Sequence, residues 1–247
     1  VRPDQMVGCC FGRRIRTAGL IWGDFREKSV RPQAAVNFVG ADVMEPVDPV
    51  FAASCDFQEI ERAQDIGVDA FYLISRTLPG TLPKQMQDSL KQVSTRAVEA
   101  LGLDDTPLHP EFIFTKEGPK VLEVAARIGG YRTEMAYYAN GVHLNEAAVR
   151  IALGLDIDLD NKWEKACTGV EVWAQRSGTI YGYENYLTVR QMPGVREFKI
   201  KKKIGKRFDI PPIGEKHIAH FFTVADTPKQ SIAIADKVLR IFRPVIH

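Results

Sequence analysis

From Lys84 onward, apolar residues recur at three- and four-residue steps: Met86, Leu90, Val93, Ala97, Val98 and Leu101. That spacing predicts an amphipathic helix, with Gly102 as a stop just beyond it. Two strand-like runs follow, over 108–115 and 120–126, around the linker Lys116-Glu117-Gly118-Pro119. A short linker with Gly at its third position suits a tight hairpin, with that Gly in the left-handed region. Ile128-Gly129-Gly130-Tyr131 breaks the pattern. Two helical stretches come next, over 133–139 and 144–153, with Asn140-Gly141 as a C-cap-like separator. Beyond a charged, aperiodic stretch near 156–165 the pattern becomes strand-rich, over 169–175, 195–202 and 217–224. A helix over 229–242 carries Ile232, Ile234, Ala235, Val238, Leu239 and Phe242. Ahead of Lys84, 17–24 and 69–75 read as strands and 77–83 as a loop, while 26–51 keeps no period.

Hairpins outnumber strict βαβ alternation, so the order predicts an α+β fold rather than a doubly wound one. Composition adds little beyond class. The 247 residues are 45% hydrophobic and 26% charged, which excludes disorder and low complexity. No apolar run approaches the ~20 residues of a membrane span. Lys+Arg number 33 against 31 Asp+Glu, so bulk charge predicts neither a nucleic-acid nor a membrane partner. Cys9, Cys10, Cys55 and Cys167 form neither a disulfide framework nor a zinc signature, which suits a reducing compartment. The strongest basic cluster, residues 199–207, has no aromatic platform interleaved and reads as an exposed hairpin edge guarded by lysines. His217 and His220, three apart on a strand, would face opposite sides and not chelate.

The hairpin carries the chemistry. Strand alternation puts His109, Glu111 and Ile113 on one side and Phe112 and Phe114 on the other, while Val121, Glu123, Ala125 and Arg127 share a face. If the loop is 116–118, Thr115 pairs with Pro119, and the ladder then sets Glu111 opposite Glu123. Opposed like charges destabilise a sheet unless one takes a proton or a cation sits between them. A hard divalent cation such as Mg²⁺ suits paired carboxylates and binds substrate phosphates as well. Arg127 and the Gly129-Gly130 turn add an anion-binding end, since glycine lets backbone N–H groups approach closely. The same spacing also fits a solvated hairpin face.

Several features agree at once over 81–154: a Leu-Pro loop, a helix ending in Ala-Leu-Gly-Leu, the H-x-E strand, the Gly-Pro hairpin turn and L-E-x-x-x-R-x-G-G. A helix ending in Ala152-Leu153-Gly154 follows. This run resembles the distal half of an ATP-grasp domain, the nucleotide-binding fold of carboxylate–amine ligases, in the subgroup that includes L-amino-acid ligases. Residues 168–247 resemble, more loosely, that subgroup's C-terminal domain. The resemblance implies three parts: a poorly matched 1–76, an ATP-grasp distal half over 77–165 and a small α+β domain over 166–247. It implies ATP as cosubstrate and Mg²⁺ (or Mn²⁺) held by Glu111 and Glu123. Arg127 would steady an acyl-phosphate and, with Gly129 and Gly130, contact phosphate. Small-molecule carboxylate and amine substrates, a cytoplasmic setting and compatibility with a homodimer follow from it too. Where many members carry a metal-ligating Asn, this chain has Ala125. The phosphate lysine and adenine contacts are not identifiable in 1–76, and the chain opens on Val1, so a fragment of a longer ligase is expected, inactive alone. The alternative expectation is a nucleotide-binding domain without catalysis.

Overall fold

A computed structural model describes residues 6–7, 10–11, 59–62, 73–80, 82–115, 117–174, 176–209 and 217–247; the strand expected over 17–24 lies outside them. The described chain runs β1 (Met6–Val7), β2 (Cys10–Phe11), β3 (Glu59–Arg62), β4 (Leu73–Leu78), α1 (Lys84–Leu101), β5 (Pro107–Thr115) and β6 (Gly118–Ala125). It continues with α2 (Arg132–Asn140), α3 (Leu144–Ala152), β7 (Ala166–Val172), β8 (Gly178–Glu184) and α4 (Tyr186–Arg190). Then come β9 (Val195–Ile200), β10 (Arg207–Phe208), β11 (Ala219–Ala225), α5 (Pro228–Ile241) and β12 (Arg243–Ile246). Every described strand pair is antiparallel, so the fold is α+β as expected.

One sheet is built on β5, which pairs with β6 and with the short β1 and β2. α1 covers it: Phe112 is fully buried against Leu82 and Leu90, with Met86 and Val93 packed alongside. Met86, Leu90 and Val93 are positions of the predicted helical stripe. Gly102 takes φ +61° as the left-handed cap, and its N–H reaches back into the last turn.

A five-stranded sheet in the order β3-β4-β7-β11-β9 is the larger platform, and it takes strands from both sides of the boundary expected near 156–165. β4 continues through Thr77 and Leu78, which the sequence assigned to the Leu-Pro loop. Those residues pair with Thr168 and Cys167 on β7, and Leu78 and Cys167 are buried, so ladder bonds and burial outweigh the local turn signal. α2 packs on one face of this sheet, where Met135, Ala136 and Ala139 meet Leu78, Cys167 and Phe222. α5 packs on the other. Its Ser231 hydroxyl donates to Thr168 Oγ1 at 2.9 Å or to the Thr223 carbonyl at 2.8 Å. Thr227 and Gln230 cap α5 reciprocally, and Pro228 opens it.

β8, α4 and β12 were not anticipated by periodicity. β8 alternates imperfectly and includes Gly178 and Gly182, yet it is the centre of a third sheet, β10-β8-β12, with Ile180 fully buried. The lysine-rich 199–207 segment starts on β9, at the edge of the five-stranded sheet, where Lys199 pairs with Glu197, and ends on β10, at the edge of the third sheet, where Arg207 pairs with Asp209 at 2.9 Å. The edge positions are as expected, but the two strands belong to different sheets and do not form a hairpin with each other. Among the described residues, no helix is long and apolar enough to cross a membrane.

Candidate functional site

The β5–β6 hairpin does set Glu111 directly opposite Glu123. It gets there by a different route from the one expected. Thr115 pairs with Gly118, so the turn is two residues rather than three, and Gly118 takes φ +104°. The register then shifts between Glu111 and Phe112: Phe112 faces Val121, leaving Leu122 as the extra residue of a bulge. The shorter turn and the bulge offset each other.

Glu111 is half-buried and Glu123 exposed. His109, two residues earlier on β5 and buried, donates from Nε2 to Glu111 Oε1 at 3.2 Å. That bond holds the Glu111 carboxyl below the usual carboxylate range. Partial burial opposes the shift, and the charges of His109, Arg132 and Arg127 reinforce it. The two opposed carboxylates therefore do not resolve their repulsion by Glu111 taking a proton at neutral pH. Among the described residues no group of three or more His, Cys, Asp or Glu converges as a metal cage. Two facing carboxylates fit a cation that keeps waters or substrate oxygens in its remaining positions, which is the habit of Mg²⁺. Ala125 pairs with His109 and offers no ligand atom.

β6 ends at Ala125, so Arg127 lies beyond the strand, exposed, with Nη1 donating to the Ile128 carbonyl at 3.1 Å. Its charge still reaches Glu111. The glycines behave differently from expectation. Neither Gly129 nor Gly130 has positive φ, so backbone freedom is not their requirement. Gly129 is needed for close approach: a Cβ there would sit 2.7 Å from His109 Nδ1 and 2.8 Å from Arg132 Cγ. At Gly130 a Cβ would meet nothing within 4 Å. The residue with the left-handed backbone is the next one, Tyr131, at φ +60°.

Sequence reasoning named His109 only as part of a motif and did not single out Arg132. Arg132 is buried at the start of α2 and donates from Nη1 to the Gly130 carbonyl at 2.8 Å. The readable signal for His109 was its place two residues before Glu111 on one strand face. Arg132 had none, since an arginine opening a helix is usually solvated. His217 and His220 also depart from expectation. β11 begins at Ala219, so His217 falls outside the strand period, and both rings lie against Tyr131 at centroid distances of 6.0 and 4.7 Å. Cys167 is a buried thiol, its pKa raised by burial.

The antiparallel sheets and the carboxylate hairpin covered by one helix superpose on solved enzymes of the ATP-grasp class of fold. Within that class, residues 172–247 match the family described as L-amino acid ligase C-terminal domain 2. The chain superposes on an L-amino acid ligase from Bacillus licheniformis with a TM-score of 0.74 at 14% identity, covering 100% of this chain and 53% of that one. A carboxyaminoimidazole ribonucleotide synthase from Aspergillus clavatus, solved in complex with ATP, aligns at 0.57 and 12% identity, over 96% and 51% of the two chains. In sequence, the chain is 35% identical to carnosine synthase 1 of Gallus gallus over 165 residues, 63% of this chain and 17% of that protein. The chain thus spans no more than 27% of the curated relatives it matches and about half of these solved structures.

Proposed function

We propose that this chain is the distal part of the catalytic unit of an ATP- and Mg²⁺-dependent carboxylate–amine ligase acting on small molecules in the cytoplasm. A substrate carboxylate oxygen attacks the γ-phosphorus of ATP and ADP leaves, giving an acyl phosphate. The amine nitrogen then attacks the acyl carbon, the C–O bond breaks, and phosphate departs with that oxygen as the amide forms. The observation that carries this reading is the cross-strand pair Glu111–Glu123, with Glu111 kept ionised, beside Arg127 and the Gly-Gly turn in an ATP-grasp fold.

Glu111 and Glu123 would hold the Mg²⁺, which when bound neutralises charge on the ATP phosphates. His109 fixes the Glu111 rotamer and keeps its carboxyl ionised. Arg127 offers a planar fork that can take two oxygens of a phosphoryl group, and its exposure leaves it free to do so. Gly129 lets the turn seat against His109, so arginine and carboxylates stay in register. The work done by this chain is positioning and electrostatic stabilisation.

The test is ADP and phosphate release by the full-length protein with Mg-ATP over a panel of amino acids. Amine-dependent ADP that is lost in Glu123→Gln supports the reading. ADP release identical in wild type and variant, or none with any amine, overturns it. Ala125, which supplies no ligand where many relatives carry Asn, favours a second reading as a nucleotide-binding domain without turnover. Calorimetric binding of Mg-ATP with no ADP formed would select it.

A further inference from the structure

The αL backbone of Tyr131 is uncommon for a bulky residue and costs of order 1 kcal/mol, so it persists only where surroundings impose it. Those surroundings are polar, buried and drawn from distant parts of the chain. The Tyr131 hydroxyl and His217 Nε2 are hydrogen-bonded at 3.0 Å. The Tyr131 ring lies 4.7 Å from that of His220 and 6.0 Å from Phe222, and the Arg76 guanidinium stands 5.7 Å from its centroid. Behind this layer, Arg76 Nη2 donates to Glu171 Oε1 at 3.1 Å, and His217 Nδ1 stands 3.7 Å from Glu171 Oε2. Glu171 on β7 and His220 on β11 are direct cross-strand partners. Arg76 is 5% exposed and His220 4%.

A buried ion pair with two imidazoles is not what stability alone selects. Desolvation opposes it, and well-packed apolar residues often do as well or better. What such a cluster can supply is direction. The turn at 127–130 is anchored on its hairpin side by the contact of Gly129 with His109. On its other side, the first residue after it is Tyr131, gripped by the five-stranded sheet. Burial raises the Tyr131 phenol pKa and the Glu171 charge adds to that; burial also lowers His217. With His217 Nδ1 turned toward the Glu171 carboxylate, the imidazole keeps its proton there and Nε2 accepts from the phenol, a fixed, directional link.

We propose that His217 and Glu171 are positioning residues that, through Tyr131, hold the 127–130 turn in place relative to the Glu111–Glu123 pair. What the turn does rests on the ligase reading above; that it is clamped rests on the geometry alone.

Amide hydrogen exchange on the full-length protein, resolved to peptides covering 127–132 with α5 as internal reference, tests the clamp. His217→Phe keeps a ring and removes the acceptor, while Tyr131→Phe removes only the donor oxygen. Each should speed exchange over 127–132 by about tenfold, the scale of one lost buried hydrogen bond, and leave α5 unchanged. The double variant should be no faster than either single one, because both remove the same contact. His217→Gln, which retains an acceptor, should restore most of the protection. In amine-dependent ADP formation, both Phe variants should lower kcat about tenfold with little change in KM for ATP. Unchanged exchange over 127–132, or exchange accelerated equally in α5, overturns the clamp. If His217→Phe does not fold, Tyr131→Phe decides by the same readout. If exchange responds as stated while the wild type forms no ADP with any amine, the ligase reading falls and the clamp stands.

Discussion

Placing a methyl group at Gly129 separates the steric role of that glycine from the conformational one. The Cβ of Gly129→Ala would lie 2.7 Å from His109 Nδ1, 2.8 Å from His109 Cε1 and 2.8 Å from Arg132 Cγ. Neither neighbour yields easily. His109 is 4% exposed and tied to Glu111, and Arg132 is 4% exposed and tied to the Gly130 carbonyl. Overpacking of this kind costs ~1–3 kcal/mol, and two stiff neighbours put the expected loss near ~2 kcal/mol. In a chain of this size that is a drop of roughly 4–8 °C in melting temperature. Gly130→Ala meets nothing within 4 Å and has no positive φ to lose, so its stability should change by no more than ~0.5 kcal/mol. Urea and thermal melts of the two variants side by side are the assay. The double variant His109→Ala with Gly129→Ala should recover at least ~1 kcal/mol relative to the sum of its singles, because the ring that clashes is gone. Equal effects at 129 and 130, or an unchanged melt for Gly129→Ala, would refute the close-approach argument.

Other outcomes follow from the same geometry. Glu111→Gln and Glu123→Gln should each cut ADP formation by ~10²-fold or more and raise the Mg²⁺ concentration needed, read from Mg²⁺ titrations of the rate; full activity at ordinary Mg²⁺ would mean the carboxylates are merely solvated. Arg127→Lys should lower kcat by ~10²-fold while changing stability by no more than ~0.5 kcal/mol, because Arg127 is exposed and Lys loses the two-pronged contact; a near-normal rate would put the catalytic end of the site elsewhere. Burial pushes His220 down from 6.5 to about 4, so between those values the unfolded chain binds its proton more than the native one does. Native stability should therefore rise with pH across that window and fall on acidification, and His220→Phe should flatten the dependence of melting temperature on pH between 4 and 6.5; an unchanged slope contradicts it.

The parts of the fold that sequence made legible are those where local pattern and tertiary burial agree. α1 is one, because its apolar period, its Gly102 stop and its packing on Phe112 coincide. The hairpin is an instructive middle case. Glu111 and Glu123 were paired correctly, yet through a three-residue loop and a regular ladder, where the chain uses a two-residue turn and a bulge at Leu122. Alternation cannot reveal a bulge, because one extra residue leaves both strands looking regular. β7 was read as starting at Gly169, although Ala166, Cys167 and Thr168 are at the centre of the sheet; small and mixed side chains carry little strand signal, and burial on both faces removes the alternation. The Arg76–Glu171–His217–Tyr131 cluster was invisible for a different reason. Its members come from four segments, and no local period reports contacts across 86 or 95 positions of chain.

The central claim is that a carboxylate is activated by phosphorylation, and oxygen-isotope transfer tests it most directly. The full-length protein is given Mg-ATP, an amine and a carboxylate substrate labelled with ¹⁸O in both carboxyl oxygens, chosen from the pair that supports ADP release. If an acyl phosphate forms and the amine displaces it, each phosphate released carries one labelled oxygen from the carboxylate, and the amide keeps the other. Phosphate released without label, at the same rate as ADP, would mean that water takes the phosphoryl group and that the chain belongs to an ATPase rather than a ligase.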